Sequence, residues 1–458
     1  MPSSSLVRDD VSNVLACILL AIAVRTLFAR YSSSLNRFPG PVLVRWTRYY
    51  MAYYDIVKGG AWIEKLQELH RLYGPVVRVG PNELHFSDPQ AYGDIYSATS
   101  GFTKDWNMYG AFPQEESMFT QTDPRRAIAR KALITPFFSR QTVLSQAEST
   151  IRSTVEKLIH QLIQNHSPDR NPANLNHALR STTFDIITTY CFATSPDAVS
   201  YPGFHSDILL GMDTALPYVP LAKHFRVFKL IIKNIPEWLT PILTVSLRAG
   251  VGQIKDVEAI ARKVLLNPNA VDASNRTIFH SLMENAENSE FVTKHGSVSL
   301  NQRWLADEGM FLRFAGADTV SSTCVVGCRY LLAEPVVLSK LVEELDSAWP
   351  DKNERLKVEV LEKLPYLTAV LKESLRLSHG VTSPMTRIVG AGGATIAGHF
   401  VPEGTSVAMT NSFVHLNADI FPEPERFLPE RWLQPDSHKL EKYLVAFGKG
   451  PRSCLGIK

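Results

Sequence analysis

The chain has little cysteine, with Cys17, Cys191, Cys324, Cys328 and Cys454 among 458 residues. The count is odd, no C-x-x-C occurs and no histidines stand at zinc-finger intervals, so neither a disulfide framework nor a structural zinc site is expected. Cys324 and Cys328, four apart on an apolar helical stretch, read as small buried hydrophobes. An excess of one charge is also lacking. The 48 Lys and Arg oppose 45 Asp and Glu for a net charge of +3, too mild to point to nucleic acid. No G-x-x-x-x-G-K-[ST] is present, which excludes a phosphate loop. No G-x-G-x-x-G opens a helix in a βαβ unit either, and Gly390-Ala391-Gly392-Gly393 does not supply one. There is no internal repeat, no low-complexity tract and no Ser/Gly/Pro-rich linker after Pro41, so one large domain is expected, not several.

What is present is an ordinary globular composition, 45% hydrophobic and 20% charged. From Val11 to Phe28 the residues are apolar except for Arg25. As a helix this run rises roughly 27 Å at about 1.5 Å per residue, close to the ~30 Å hydrocarbon core of a bilayer. Asp9 and Asp10 precede it while Arg25, Arg30 and Arg37 follow, which places the remaining chain in the cytosol. Residues 1–30 are therefore expected to be a membrane anchor. Residues 31–41, ending in Arg37-Phe38-Pro39-Gly40-Pro41, read as a stiff elbow because the two prolines fix φ and deny helix continuation. Residues 42–458 form the expected catalytic domain, mainly α with minor β. Trp62 to Tyr73 has helical spacing and stops at Gly74-Pro75, and a hairpin pattern follows. Helical patterns dominate 125–165, 174–193, 300–345 and 353–377, and after Pro384 short strands and Gly/Pro-rich turns take over.

The densest chemical signal is Phe447-Gly448-Lys449-Gly450-Pro451-Arg452-Ser453-Cys454-Leu455-Gly456, which fits F-x-x-G-x-R-x-C-x-G at each fixed position. Five such matches arise by chance in a chain this long with a probability on the order of 1 in 10,000 at average residue frequencies. A cysteine thiolate pushes electron density onto iron, and glycines let the backbone turn against a flat macrocycle. An arginine suits a propionate, and a helix opening at Cys454 would stabilise its anion. The loop resembles the haem-binding signature of the cytochrome P450 superfamily, most like its membrane-bound fungal members of secondary metabolism.

That resemblance implies the family fold, haem b with Cys454 as axial iron ligand, and monooxygenation of a small apolar substrate such as a terpenoid or polyketide. Phe447 would lie on the porphyrin face, with Gly450 and Gly456 shaping the loop. Glu373 and Arg376 resemble the family's E-x-x-R helix, and Arg431 the arginine that completes its ionic network. Ala315-Gly316-Ala317-Asp318-Thr319 resembles the oxygen-activating motif of the distal helix. There Gly316 would permit close approach of dioxygen, Thr319 would open a groove by bonding to the carbonyl one turn back, and Asp318 would relay protons. Arg452 and Arg387 are expected at the haem propionates. Arg130 and Lys131 are further candidates, since Ala127 stands where an aromatic or histidine is usual. The stretches 102–119 and 379–384 are expected to line the substrate pocket. Electrons would come from a membrane-bound NADPH-cytochrome P450 reductase meeting Arg126, Lys442 and Lys449, with the protein on the endoplasmic reticulum. Four residues follow Cys454, whereas the resemblance implies a haem-side helix and a terminal strand pair. The chain as written is therefore expected to hold haem weakly. A truncated non-catalytic haem-thiolate fragment and a haem-thiolate isomerase or dehydratase stay open as alternatives.

Overall fold

A computed structural model describes residues 31–457 except 167–171, 216–217, 234–244, 268–275, 289–297 and 353. The anchor expected in residues 1–30 lies outside the described residues, and among those described no helix is long and apolar enough to cross a membrane.

Residues 31–41 are not a bare elbow. Leu35 and Phe38 are buried in the core cluster that holds Val76 and Phe86, and Pro39 O accepts the Arg78 N–H at 2.8 Å. A Cβ on Gly40 would stand 2.3 Å from Arg78 O, so only glycine lets the segment lie against the strand. Beyond it, α1 (Trp62–Tyr73) buries Trp62, Leu66 and Leu69 and ends at Gly74, whose φ of +93° reverses the chain cheaply. The antiparallel pair β1 (Val76–Gly80) and β2 (Glu83–Phe86) follows, both strands buried along their whole length. Next comes α2 (Pro89–Tyr96), capped by the Asp88 side chain on Gln90 N–H with proline in its first turn. Short β3 (Thr103–Lys104), β4 (Arg387–Ile388) and β7 (Ser406–Ala408) complete a five-stranded sheet of order β1-β2-β7-β4-β3. β5 (Ala394–Ile396) and β6 (His399–Val401) form a separate hairpin.

Helices make up the rest. α3 (Pro124–Ile134) is capped by Asp123 on the N–H groups of Arg125 and Arg126. α4 (Leu175–Phe192) is buried along most of its length, and α5 (Asp207–Ala215) and α6 (Val245–Leu266) cover neighbouring faces. Through this mass runs α7 (Gln302–Ala333), 32 residues long, packed against α4, α6 and α8 (Pro365–Ser378). The helical pattern over 353–377 is broken in the structure: a short turn at Val358–Leu361 precedes α8, which starts at Pro365 because proline lacks the N–H that an interior position needs. The main apolar cluster joins Trp304, Leu305 and Met310 of α7 to Phe192, Val257, Phe279 and Leu133. α7 is thereby fixed against most of the helical body. Its Cys324 is exposed and Cys328 half-buried, not the buried hydrophobes expected, and all four cysteines of the described residues are free.

Candidate functional site

α8 carries the ionic network. Glu373 and Arg376, one turn apart, are both fully buried and joined through two bonds, Nε to Oε2 at 2.9 Å and Nη2 to Oε1 at 2.8 Å. Arg431 donates from Nε to Glu373 Oε1 at 3.1 Å, Trp432 Nε1 donates to Oε2 at 2.9 Å, and the Leu428 N–H donates to Oε1 at 3.0 Å. The remaining protons of Arg376 go to the carbonyls of His415, Pro424 and Arg426. Buried ions cost several kcal/mol each unless every lone pair and proton is used, and here nearly all are. The network ties α8 to residues 415–432, the segment that leads into the cysteine loop.

In that loop Gly448 and Gly450 have φ of +68° and +69°. A Cβ on Gly450 would meet Tyr96 O at 2.4 Å, so the loop can rest on the end of α2 only with glycine there. Half-buried Phe447 accepts the Cys454 N–H on its carbonyl at 2.8 Å, and the Gly456 N–H donates to Cys454 Sγ at 3.3 Å. Lys131, reaching from α3, donates to Pro451 O at 3.1 Å and to Ser453 O at 2.8 Å, bracing the loop from outside. Cys454 does not open an α-helix in the described residues; it stands between the turns Gly450–Arg452 and Leu455–Ile457. The residue is exposed, yet desolvation of its thiol by surrounding protein pushes the pKa up, with the Gly456 N–H and the Lys131 charge acting in the opposite direction. One amide and one ammonium do not outweigh that desolvation.

On α7, Thr319 Oγ1 donates to Ala315 O at 2.6 Å, the bond back one turn that its position suggested. Thr319 and Ala315 are exposed, and Phe311 lies on the same face one turn earlier. Phe311 stacks on Phe119 at 4.4 Å, and Phe112 closes on both rings at 5.5–5.6 Å. Two neighbouring residues of the motif meet partners on other helices. A Cβ on Gly316 would stand 2.5 Å from Ile187 Cγ1, so the glycine permits the close crossing of α7 over α4. The Asp318 carboxylate is bound by Arg180 of α4, which also pairs with Asp213 of α5. A carboxylate engaged by a guanidinium has to leave that pair before it can serve as a proton relay.

The basic residues divide into two groups. Arg130 does not face the loop: it pairs with Glu116 at 2.7 Å and lies 5.0 Å from the Trp304 ring centroid. Arg130 and Lys131 are thus each engaged by protein groups, the one by Glu116 and the other by carbonyls of the cysteine loop. Arg387 is buried and donates to Tyr109 Oη at 2.7 Å and to the carbonyls of Met385 and Thr386. Arg452 donates to Gln121 O at 2.9 Å and to Met118 O at 3.4 Å, and its pKa is pulled down to about 10 by burial and by the neighbouring Arg387 charge. Lys104, which no sequence motif marks, is buried in the same place, with Nζ 4.3 Å from the Tyr109 ring centroid and donating to Phe119 O. Burial followed by the charges of Arg387 and Arg452 holds its pKa well below the ordinary lysine value. No carboxylate among the described residues pairs with any of the three. Three cations without counter-ions, two of them buried, call for an anion, and a group carrying two carboxylates beside the exposed Cys454 fits haem.

The sequence profile described as Cytochrome P450 matches residues 44–458. The chain is 31% identical over 472 residues to the cytochrome P450 monooxygenase tpcC of Cochliobolus heterostrophus, covering 99% of this chain and 87% of that protein. It is 32% identical over 453 residues to the cytochrome P450 monooxygenase orf3 of Eupenicillium brefeldianum (97% and 86%), and 29% identical over 429 residues to the cytochrome P450 monooxygenase TRI4 of Fusarium sporotrichioides (93% and 81%). With the cysteine loop, the buried Glu373–Arg376–Arg431 network and the long helix of Thr319 in one fold, the chain belongs to the cytochrome P450 family and is an oxidoreductase.

Proposed function

We propose that the protein is a haem b-dependent monooxygenase that oxidises a small apolar secondary metabolite of the terpenoid or polyketide class. The observation that carries the reading is Cys454, exposed at the apex of a loop whose glycines and Lys131 fix it near three cations lacking counter-ions, buried Lys104 and Arg387 and half-buried Arg452. Cys454 Sγ would be the axial ligand, with Arg387 and Arg452 at the propionates. Bound there, a thiolate-ligated haem supplies activation of dioxygen. The chain's own part is positional. Phe112, Phe119 and Phe311 give the face beside Thr319 an apolar wall that selects an apolar substrate and keeps bulk water from it. The Thr319 hydroxyl, with its proton on Ala315 O, keeps a lone pair to accept a proton-carrying water. Asp318 could take part once Arg180 is drawn to Asp213.

Electrons would come from a membrane-bound NADPH-dependent reductase docking on Arg126, Lys442 and Lys449, the first two of them exposed. An anchor in residues 1–30 at the endoplasmic reticulum is in keeping with the exposed apolar side chains that follow it, Val42, Leu43, Trp46 and Tyr49, the last stacked on exposed Phe225. The test is a carbon monoxide difference spectrum of the reduced protein beside its Cys454→Ala variant. The red-shifted Soret band should be present in the first and absent in the second; its survival in the variant rejects Cys454 as ligand. The engagement of Asp318 by Arg180 favours one rival, a haem-thiolate isomerase or dehydratase. Substrate-dependent NADPH consumption in a reconstituted system rules that rival out.

A further inference from the structure

Residues 110–121 carry two of the three rings of the apolar wall, Phe112 and Phe119, yet contain no helix or strand. Backbone groups outside regular structure need other partners. Four of the segment's carbonyls go to cations: Glu116 O to Arg130 of α3, Phe119 O to Lys104 of β3, and Met118 O and Gln121 O to Arg452 of the cysteine loop. Two of its amides go to successive carboxylates of α7. The Glu116 N–H donates to Asp307 Oδ2 at 3.0 Å, and the Met118 N–H donates to Glu308 Oε2 at 2.6 Å. The two acids differ in their surroundings. Asp307 is also bound by Arg303, one turn earlier on the same helix, whereas Glu308 is 2% exposed and forms no ion pair among the described residues. A carboxyl buried for packing alone is costly, so the bond to Met118 is what Glu308 supplies. Phe311 follows Glu308 by three residues and shares its face of α7, and Phe119 follows Met118 directly. The bond therefore holds the segment at the register in which Phe119 stacks on Phe311, with centroids 4.4 Å apart and planes at 24°, while Phe112 meets both rings edge-on. A ring pair by itself corresponds to roughly 2- to 10-fold in an equilibrium constant, and a hydrogen bond to a charged group to roughly 10- to 100-fold. The carboxyl is thus the stronger of the two ties.

We propose that Glu308 is a specificity-determining positioning residue, whose hold on the Met118 amide keeps Phe119 stacked on Phe311 and so sets the width of the apolar site beside Thr319. This rests on the haem-thiolate reading of that site and adds a signature which that reading alone does not require. Loss of the bond lets the segment move off α7, and the site then admits bulky apolar ligands that it otherwise rejects, while narrow ligands gain nothing. A purely structural acid would behave differently: its loss would weaken narrow and bulky ligands alike.

The experiment titrates the haem-loaded protein with narrow N-benzylimidazole and bulky N-tritylimidazole, each of which shifts the Soret band when its nitrogen reaches iron. The readout is the ratio of the trityl Kd to the benzyl Kd in wild type, Glu308→Leu, Glu308→Gln and Phe119→Ala. In Glu308→Leu the ratio should fall by about 10-fold or more, the factor for a lost hydrogen bond to a charged group. Glu308→Gln keeps a carbonyl for the Met118 N–H and should lie closer to wild type than to Glu308→Leu. Phe119→Ala should lower the ratio too, and the double variant Glu308→Leu with Phe119→Ala should fall no further than Phe119→Ala alone, because both changes act through one ring. Amide exchange of residues 114–121 should be about 10- to 100-fold faster in Glu308→Leu than in wild type, with or without haem. An unchanged ratio in Glu308→Leu overturns the proposal, as does a further fall in the double variant or unchanged amide exchange. A wild-type protein with no Soret shift on either imidazole and no red-shifted carbonyl band fails the haem-thiolate reading instead, and amide exchange still decides whether Glu308 holds the segment, so the two failures are separate results.

Discussion

Replacing Glu373 with glutamine tests how much of this fold depends on one buried carboxylate. The change keeps size and one carbonyl oxygen but removes the charge that faces both Arg376 and Arg431. It also turns an NH2 group toward donors, since every one of the five contacts to Glu373 is a donated proton. Arg376 is fully buried and keeps only neutral carbonyls, so its charge is left without compensation. Breaking a buried pair from one side costs about 3–5 kcal/mol. An unfolding entropy of about 2.1 cal/mol/K per residue makes 1 kcal/mol correspond to roughly 1 °C in a chain of this length. Glu373→Gln should thus melt roughly 3–5 °C lower by circular dichroism and be recovered with less haem. The control is Lys340→Ala, which removes the Lys340–Glu430 pair, with side chains 48% and 37% exposed. Solvent-screened pairs contribute about 0–1 kcal/mol, so that variant should stay within about 1 °C of wild type. Equal melting of Glu373→Gln and Lys340→Ala would refute the assignment of the network as a structural keystone.

Three further outcomes follow from named contacts. Thr319→Ala should bind haem normally and give less product per NADPH consumed, because the hydroxyl is lost while the cysteine loop is untouched; unchanged coupling removes Thr319 from proton delivery. Glu308 has its pKa raised to about 7, first by burial and then by the Asp307 charge, against the Met118 N–H and Arg130. A carboxyl raised on folding contributes stability below its unfolded value of about 4.3 and loses it as pH rises through 7. Glu308→Gln should therefore flatten the fall in melting temperature between pH 5.5 and 8.5, by at most about 3 kcal/mol, and parallel curves for the two proteins would show that Glu308 does not titrate there. Gly316→Ala should destabilise by about 1–3 kcal/mol through the clash with Ile187, and Ile187→Ala in the same chain should relieve it; a stable Gly316→Ala protein rejects the close-crossing account.

Local chemistry makes much of this protein legible in its sequence. The loop around Cys454 is a single stretch whose spacing carries its own meaning. Glu373 and Arg376 pair within one helix turn, and Thr319 bonds to Ala315 one turn back, so a helical period suffices to find them. The split of the chain into a helical body and late short strands follows from periodicity and from Gly/Pro punctuation in the same way.

What stayed hidden depends on residues far apart in sequence. Asp318 reads as a free acid beside Thr319 until Arg180, 138 positions earlier, is found bound to it. That Ile187 fills the place where a Cβ on Gly316 would stand shows only in the packing of α7 on α4. Arg130 and Lys131 share one basic run, yet the helix turns one toward Glu116 and the other toward Ser453. Lys104 could be noticed only beside Arg387 and Arg452, because a lone lysine in a sequence is ordinarily a solvated surface charge. The sequence determined which groups can do chemistry; tertiary packing decided which of them remain free to do it, because burial and partners set each group's charge and reach.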